Sequence, residues 1–126
     1  MNKAATFAEF GRRVRRRRED LDIGLRELAR RVALSPAYLS MVERGELPPP
    51  AEEKVVALAR ELKFDADELL ASAGRVSDKV AELVRTHADE LPELIRQWPK
   101  LPAEQRRTIL ASAKARSSLR ATAEKK

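Results

Sequence analysis

The sequence predicts a small all-helical fold. Three observations carry the prediction: apolar residues recur at three- and four-residue spacings, capping residues stand just before most of those stretches, and glycines and prolines fall between them. No strand-like alternation of consequence and no long-period repeat interrupts the pattern. With 126 residues, 43 % hydrophobic and 37 % charged, the composition is that of one soluble globular domain, or of one small domain with an appendage.

The first helix is expected from Thr6 to Asp20, with Thr6 as its cap, Glu9 completing a capping box, and Phe7, Phe10 and Val14 facing inward. A second helix spans Leu25 to Val32 and buries Leu25, Leu28, Ala29 and Val32, with Gly24 as a weak cap. After Ala33-Leu34, Ser35-Pro36 is a strong helix start, because serine caps and proline lacks only an N–H that the first turn does not use. That third helix runs to Arg44, turns Leu39 and Val42 inward, and stops at Gly45.

Pro48-Pro49-Pro50 makes a stiff connection to a fourth helix, Ala51 to Leu62. A fifth follows, opened by an Asp65/Glu68 capping box with a Phe64–Leu69 hydrophobic staple, and ends at Gly74. Beyond it, Ser77 caps a helix reaching His87, Leu91 to Trp98 forms another, and Ala103 to Leu119 a last one. These boundaries give a domain at residues 1–75, a helical extension at 76–120 and a flexible basic tail at 121–126.

Composition argues for binding rather than catalysis. There is no cysteine, and His87 is the sole histidine, so thiolate nucleophiles, disulfides and paired histidine ligands are ruled out. No enzymatic activity, metal or cofactor is expected. The N-terminal stretch lacks the apolar run of a signal peptide, and no segment has the roughly 20 apolar residues of a membrane span. The cytoplasm is the expected location, and a membrane is not an expected partner.

A net charge of +6 favours polyanionic partners, and its distribution sharpens the point. Residues 1–44 hold 11 Lys/Arg against six Asp/Glu, whereas residues 46–68 hold three against seven. The positive charge thus concentrates on the first three helices, and a second basic stretch follows residue 76.

The segment Leu25-Arg-Glu-Leu-Ala-Arg-Arg-Val-Ala-Leu-Ser-Pro-Ala-Tyr-Leu-Ser-Met-Val-Glu-Arg-Gly45 resembles the phage-repressor-like (XRE) family of helix-turn-helix transcription regulators. The likeness extends from Phe7 to Gly74. It rests on Glu27-Leu28-Ala29, Ser35-Pro36, Leu39-Ser40, Glu43-Arg44-Gly45 and Asp67-Glu68-Leu69-Leu70 at their mutual spacings. The resemblance implies a five-helix DNA-binding domain whose third helix enters the major groove, here followed by a helical extension. The family often has glycine in the turn where this chain has Ala33, which implies a slightly strained turn. It also implies an ion pair between Arg18 and Glu43 that fixes the angle of the third helix.

The positions of the third helix not needed for the core are Pro36, Ala37, Tyr38, Ser40, Met41 and Arg44, and by the same resemblance Pro36, Ala37 and Met41 meet base edges. Tyr38 is placed to bond a base or a phosphate, with core packing of Tyr38 and Met41 as the alternative. None of Pro36, Ala37 and Met41 offers a bidentate donor; Ala37 and Met41 suit thymine methyls, and DNA shape is expected to supply part of the specificity. Phosphate contacts are expected from Arg44, Arg26, the backbone N–H groups near Leu25 and the Ser35 hydroxyl. Glu46 repels phosphate and the prolines after it have no N–H, so the run Arg12-Arg13-Val14-Arg15-Arg16-Arg17-Arg18 is the expected substitute. Residues on a helix are spaced by roughly 100°, which groups Arg13, Arg16 and Arg17 as the candidates. A merely solvated face is the alternative for that run.

The extension reads as a dimerisation region, with Leu94, Ile95, Trp98, Ile109 and Leu110 at the interface and Trp98 as its anchor. The expected protein is a bacterial homodimeric repressor that occupies an operator, an inverted repeat in double-stranded DNA. The alternative is an antitoxin-type autoregulator whose C-terminal helices hold a toxin. Family members with similar extensions are sometimes controlled by a partner metallopeptidase, which adds a regulatory peptidase to the candidate partners. An interaction adaptor that keeps the fold without binding DNA is a further rival, against which the arginines argue.

Overall fold

The computed structural model describes residues 3–124, with side chains described for residues 5–119. Among the described residues the chain is all-helical: α1 (Lys3–Asp20), α2 (Leu25–Arg31), α3 (Pro36–Glu43), α4 (Glu52–Leu62), α5 (Ala66–Ser72), α6 (Asp78–Thr86), α7 (Leu91–Gln97), a 3-10 turn (Trp98–Lys100) and α8 (Ala103–Glu124). None of these helices is long and apolar enough to cross a membrane.

The expected order of elements is observed, with differences at their ends. α1 starts at Lys3 rather than Thr6, because Lys3-Ala4-Ala5 are good helix formers and let the helix propagate backwards. Thr6 therefore lies inside the helix, and Glu9 accepts hydrogen bonds from Arg12 and Arg13, at 3.3 and 3.2 Å. Trp98 leaves the helix of Leu94 and Ile95 and opens the 3-10 turn. α8 continues to Glu124 and takes in positions 121–124, assigned by sequence to a flexible tail; no glycine or proline follows Pro102 to stop it. The rest of the expected tail, residues 125–126, lies outside the described residues.

The chain divides into two compact units, Met1–Glu82 and Leu83–Lys126. The division falls inside α6, seven residues beyond the 75/76 boundary expected from sequence, and Ser77 caps α6 by accepting from the Val80 N–H. In the first unit Phe10 and Val14 of α1 meet Leu28 and Ala29 of α2, Val32 after it, Leu39 and Val42 of α3, Val55, Leu58, Ala59 and Leu62 of α4, and Leu69 and Leu70 of α5. All are at most 3 % exposed. Each large side chain among them contributes about 1.5–3 kcal/mol on burial, so five short helices sustain one another where none would persist alone.

The second unit differs. Among its described residues none is buried, and Leu83, Leu94, Ile95, Ile109, Leu110 and Leu119 are all more than 40 % exposed. Trp98, expected as an exposed anchor, is half-buried.

Candidate nucleic-acid interface

The turn between α2 and α3 is built from its own hydrogen bonds and one long-range cation. Ala33 adopts φ +56°, a left-handed conformation in which a Cβ is strained, and this lets the Leu34 N–H reach back to the Ala29 carbonyl at 2.9 Å. Lys54, from α4, donates its Nζ to the Val32 carbonyl at 3.0 Å and to that of Ala33 at 3.4 Å. A positive charge thus covers the C-terminal end of α2, where the helix dipole favours it. Ser35 then accepts the Tyr38 N–H at 3.1 Å and Pro36 fills the first turn of α3.

α3 is fixed from behind. Leu39, Val42 and Glu43 are buried, and Gly11 of α1 lies so close that an added Cβ would sit 2.3 Å from the Val42 carbonyl oxygen. Arg18 donates Nε and Nη2 to the two carboxylate oxygens of Glu43, at 2.8 and 3.0 Å, and Nη1 to the Ile23 carbonyl at 2.9 Å. The side chains of this pair are 13 % and 4 % exposed. Hydrogen bonding to Glu43 raises the Arg18 pKa above its ordinary value against the opposing effect of burial. After α3, Gly45 at φ +75° turns the chain, and Arg75 donates to the carbonyls of Pro49, at 3.0 Å, and Pro50, so both buried prolines are held.

The face opposite this packing is open. Ala37, Met41 and Arg44 are exposed at i, i+4 and i+7, whereas Pro36, Tyr38 and Ser40 are half-buried and Tyr38 packs against the core. Arg44 is paired with Glu46 at 2.7 Å. On α2, Arg26 is exposed and Leu25 half-buried, so Leu25 offers a backbone N–H rather than a side chain; Gly24 places no side-chain cap there.

The arginine run is largely engaged. Arg13, Arg16 and Arg17 do line one groove, with Asp20 and Phe64. Arg17, however, donates to the carbonyls of Leu62 at 2.8 Å and Lys63 at 3.0 Å, and lies over the Phe64 ring at 4.9 Å. It closes the C-terminal end of α4 with Nε and Nη2, two of the nitrogens that the expected phosphate role would use. Leu62 stands eight residues beyond Lys54, about 12 Å along the helix, so this cluster adjoins the end of α4 remote from the α2–α3 turn. The roles of Lys54, Gly11, Arg17 and Arg75 were not read from sequence: each depends on a partner more than 20 residues away. Only Gly11, a lone glycine inside a helical stripe, gave a local signal.

A short, capped helix held from behind, with an outward face and a second helix across its start, defines a DNA-binding helix-turn-helix module. Residues 9–72 match the family model described as a helix-turn-helix domain, and the chain belongs to that family; the match lies within the Phe7–Gly74 stretch that carries the resemblance. Among curated proteins none matches. Similar solved structures include two of the clp gene regulator ClgR from Corynebacterium glutamicum. One is 30 % identical, covers 55 % of this chain and 88 % of that one, and has a TM-score of 0.47. The other is 26 % identical, covers 75 % and 93 %, and has a TM-score of 0.49. A SinR protein/SinI protein complex is 24 % identical, covers 86 % and 98 %, and has a TM-score of 0.48.

Proposed function

We propose that this protein is a bacterial, cytoplasmic transcription repressor that acts as a homodimer by occupying an inverted-repeat operator. The observation that supports it most directly is the contrast between the two sides of α3: Leu39, Val42 and Glu43 buried and locked, Ala37, Met41 and Arg44 open. Base edges meet Ala37 and Met41, with Pro36, Tyr38 and Ser40 at the margin. Phosphates meet Arg26, Arg44, the Ser35 hydroxyl and the N–H groups at the start of α2. Arg44 must exchange Glu46 for phosphate, and because that pair is exposed the exchange costs little. Arg13 and Arg16 serve at most the DNA flanks.

One helix-turn-helix reads only a few base pairs, so a second copy is needed. The second unit, with no buried residue and with Leu94, Ile95, Ile109 and Leu110 exposed, supports dimerisation there. Selection of bound duplexes from a random pool by the full-length protein tests the reading. The expected product is an inverted repeat with half-site centres one DNA turn apart, about 34–36 Å. Failure to enrich any sequence would sink it. The same exposed residues favour a second reading, an autoregulator whose C-terminal helices hold a toxin or a regulatory peptidase. A full-length chain that is monomeric alone and on DNA would favour that reading over the homodimer.

A further inference from the structure

We propose that α3 reads C5-methyl groups in the major groove, those of 5-methylcytosine as well as those of thymine, through Ala37 and Met41. The proposal rests on the DNA-binding reading above and specifies what that face recognises.

Ala37 and Met41 are exposed one helical turn apart, on the side of α3 away from Leu39, Val42 and Glu43. Neither carries a hydrogen-bond donor, and a thioether is only a weak acceptor. Their neighbours do not supply the deficit at the centre of the face. Ser35 stands at the start of the helix, where its Oγ accepts the Tyr38 N–H and its own O–H is left for a phosphate, Tyr38 packs against the core, Ser40 is half-buried, and Arg44 lies at the far end, paired with Glu46.

Apolar side chains pressed onto a base edge strip water from whatever lies beneath them. A purine edge, or the amino group of an unmethylated cytosine, would lose its hydration with no replacement, which is unfavourable. A methyl group loses nothing of that kind and gains dispersion contact and burial. Thymine presents that methyl on C5, and 5-methylcytosine presents it on the equivalent carbon. With no donor aimed at O4 and no strong acceptor aimed at the N4 amino group, the face responds to the methyl more than to the base pair that carries it. The short Ala37 lets the helix approach closely, and the flexible, polarizable Met41 adapts to the methyl's position.

The test uses the full-length protein and the duplex it enriches from a random pool. Each thymine is replaced singly by uracil, which removes one methyl and no hydrogen-bonding group. At one or more positions per half-site the affinity should fall about three- to fivefold, the worth of one buried methyl. Cytosine placed there should bind weakly, and its 5-methylation should restore affinity by a similar factor. In Met41→Ala the uracil penalty at one of these positions should vanish. If the enriched duplex is bound but no uracil replacement weakens it, the inference falls while operator binding stands. It also falls if methylating the cytosine restores nothing, or if every uracil penalty persists in Met41→Ala. If no sequence is enriched at all, the DNA-binding reading falls and this inference with it.

Discussion

The Arg18 guanidinium meets both carboxylate oxygens of Glu43, at 2.8 and 3.0 Å, and joins the last turn of α1 to the last residue of α3. The third hydrogen bond, to the Ile23 carbonyl, ties in the loop that leads to α2. One side chain thus references three elements to one another. A buried pair of this kind adds little stability relative to a well-packed apolar pair, but loss of one member leaves a desolvated charge. Arg18→Met should cost about 3–5 kcal/mol in urea unfolding. The double variant Arg18→Met/Glu43→Leu should recover most of that loss and yet bind its operator less selectively, because the angle of α3 is then no longer fixed. A single-variant cost near zero would mean that the pair is as dispensable as a surface one.

The turn stores strain that glycine would release. At Ala33, φ +56° costs about 1–2 kcal/mol for a residue with a Cβ, whereas glycine costs about 0.4–1 kcal/mol through the greater freedom of the unfolded chain. Ala33→Gly should therefore stabilise the protein by up to about 1 kcal/mol. A rise in the midpoint of thermal unfolding checks this; a fall would show that the turn is unstrained.

Arg17 is expected to act on stability and not on DNA. Its two bonds to the carbonyls of Leu62 and Lys63 close α4, and hydrogen bonds to a charged group contribute about 1.5–3 kcal/mol. Arg17→Ala should lower the unfolding free energy by about that amount. The slope of log affinity against log salt should stay unchanged, since no phosphate contact is lost. A flatter slope with unchanged stability would return Arg17 to the DNA backbone.

Acid should release α2 late. Hydrogen bonds from Arg30 first, then Arg31, lower the Glu27 pKa to about 2 from an ordinary 4.5. A depressed carboxyl contributes stability that is present above pH 4.5 and is lost as the pH falls from there through about 2. The Glu27 side chain is 39 % exposed, so solvent screening keeps the effect on folding small and the titration itself is the sensitive measurement. Carboxyl carbon shifts should show Glu27 still ionised at pH 3.5, a point at which ordinary exposed glutamates are mostly protonated. A midpoint in the ordinary range would reduce the pairs to transient contacts.

The legible part of this protein is the part encoded by neighbours in sequence. Ser35-Pro36, Asp65 and Gly45 announce helix ends because caps and left-handed turns act over three or four residues. The inward sets of α2 to α4 follow from helical period alone. The Arg18–Glu43 pair was accessible through family resemblance, since nothing in its spacing pairs two residues 25 apart. Arg17 shows the limit: six arginines in seven positions look alike in sequence, yet the one that meets the end of α4 is chosen by the crossing of two helices. Trp98 shows another. Pro99 and Pro102 mark a break after its helix in sequence, but the break begins one residue earlier, in a 3-10 turn that contains both Trp98 and Pro99, and Trp98 is half-buried.

The second unit should make the dimer, and a chain ending at Glu82 should expose the fact. The first unit has its own core of 13 buried apolar residues, so the shortened chain should unfold cooperatively and remain helical. Leu94, Ile95, Ile109 and Leu110, at 43–58 % exposure, leave about half of their surface in solvent, and burying that remainder against a second copy is worth up to about 1–1.5 kcal/mol each. Linking two reading heads makes the second half-site an almost intramolecular target, with gains of about a hundredfold or more. The shortened chain should therefore sediment as a monomer and bind a two-half-site duplex about a hundredfold more weakly than the full chain, while its affinity for an isolated half-site stays the same. Ile95→Lys in the full chain provides the check that nothing else was removed: it keeps every residue of the DNA-binding domain, and it too should sediment as a monomer. A dimeric shortened chain, or a full-length protein that is monomeric both free and on its operator, would assign these helices another role.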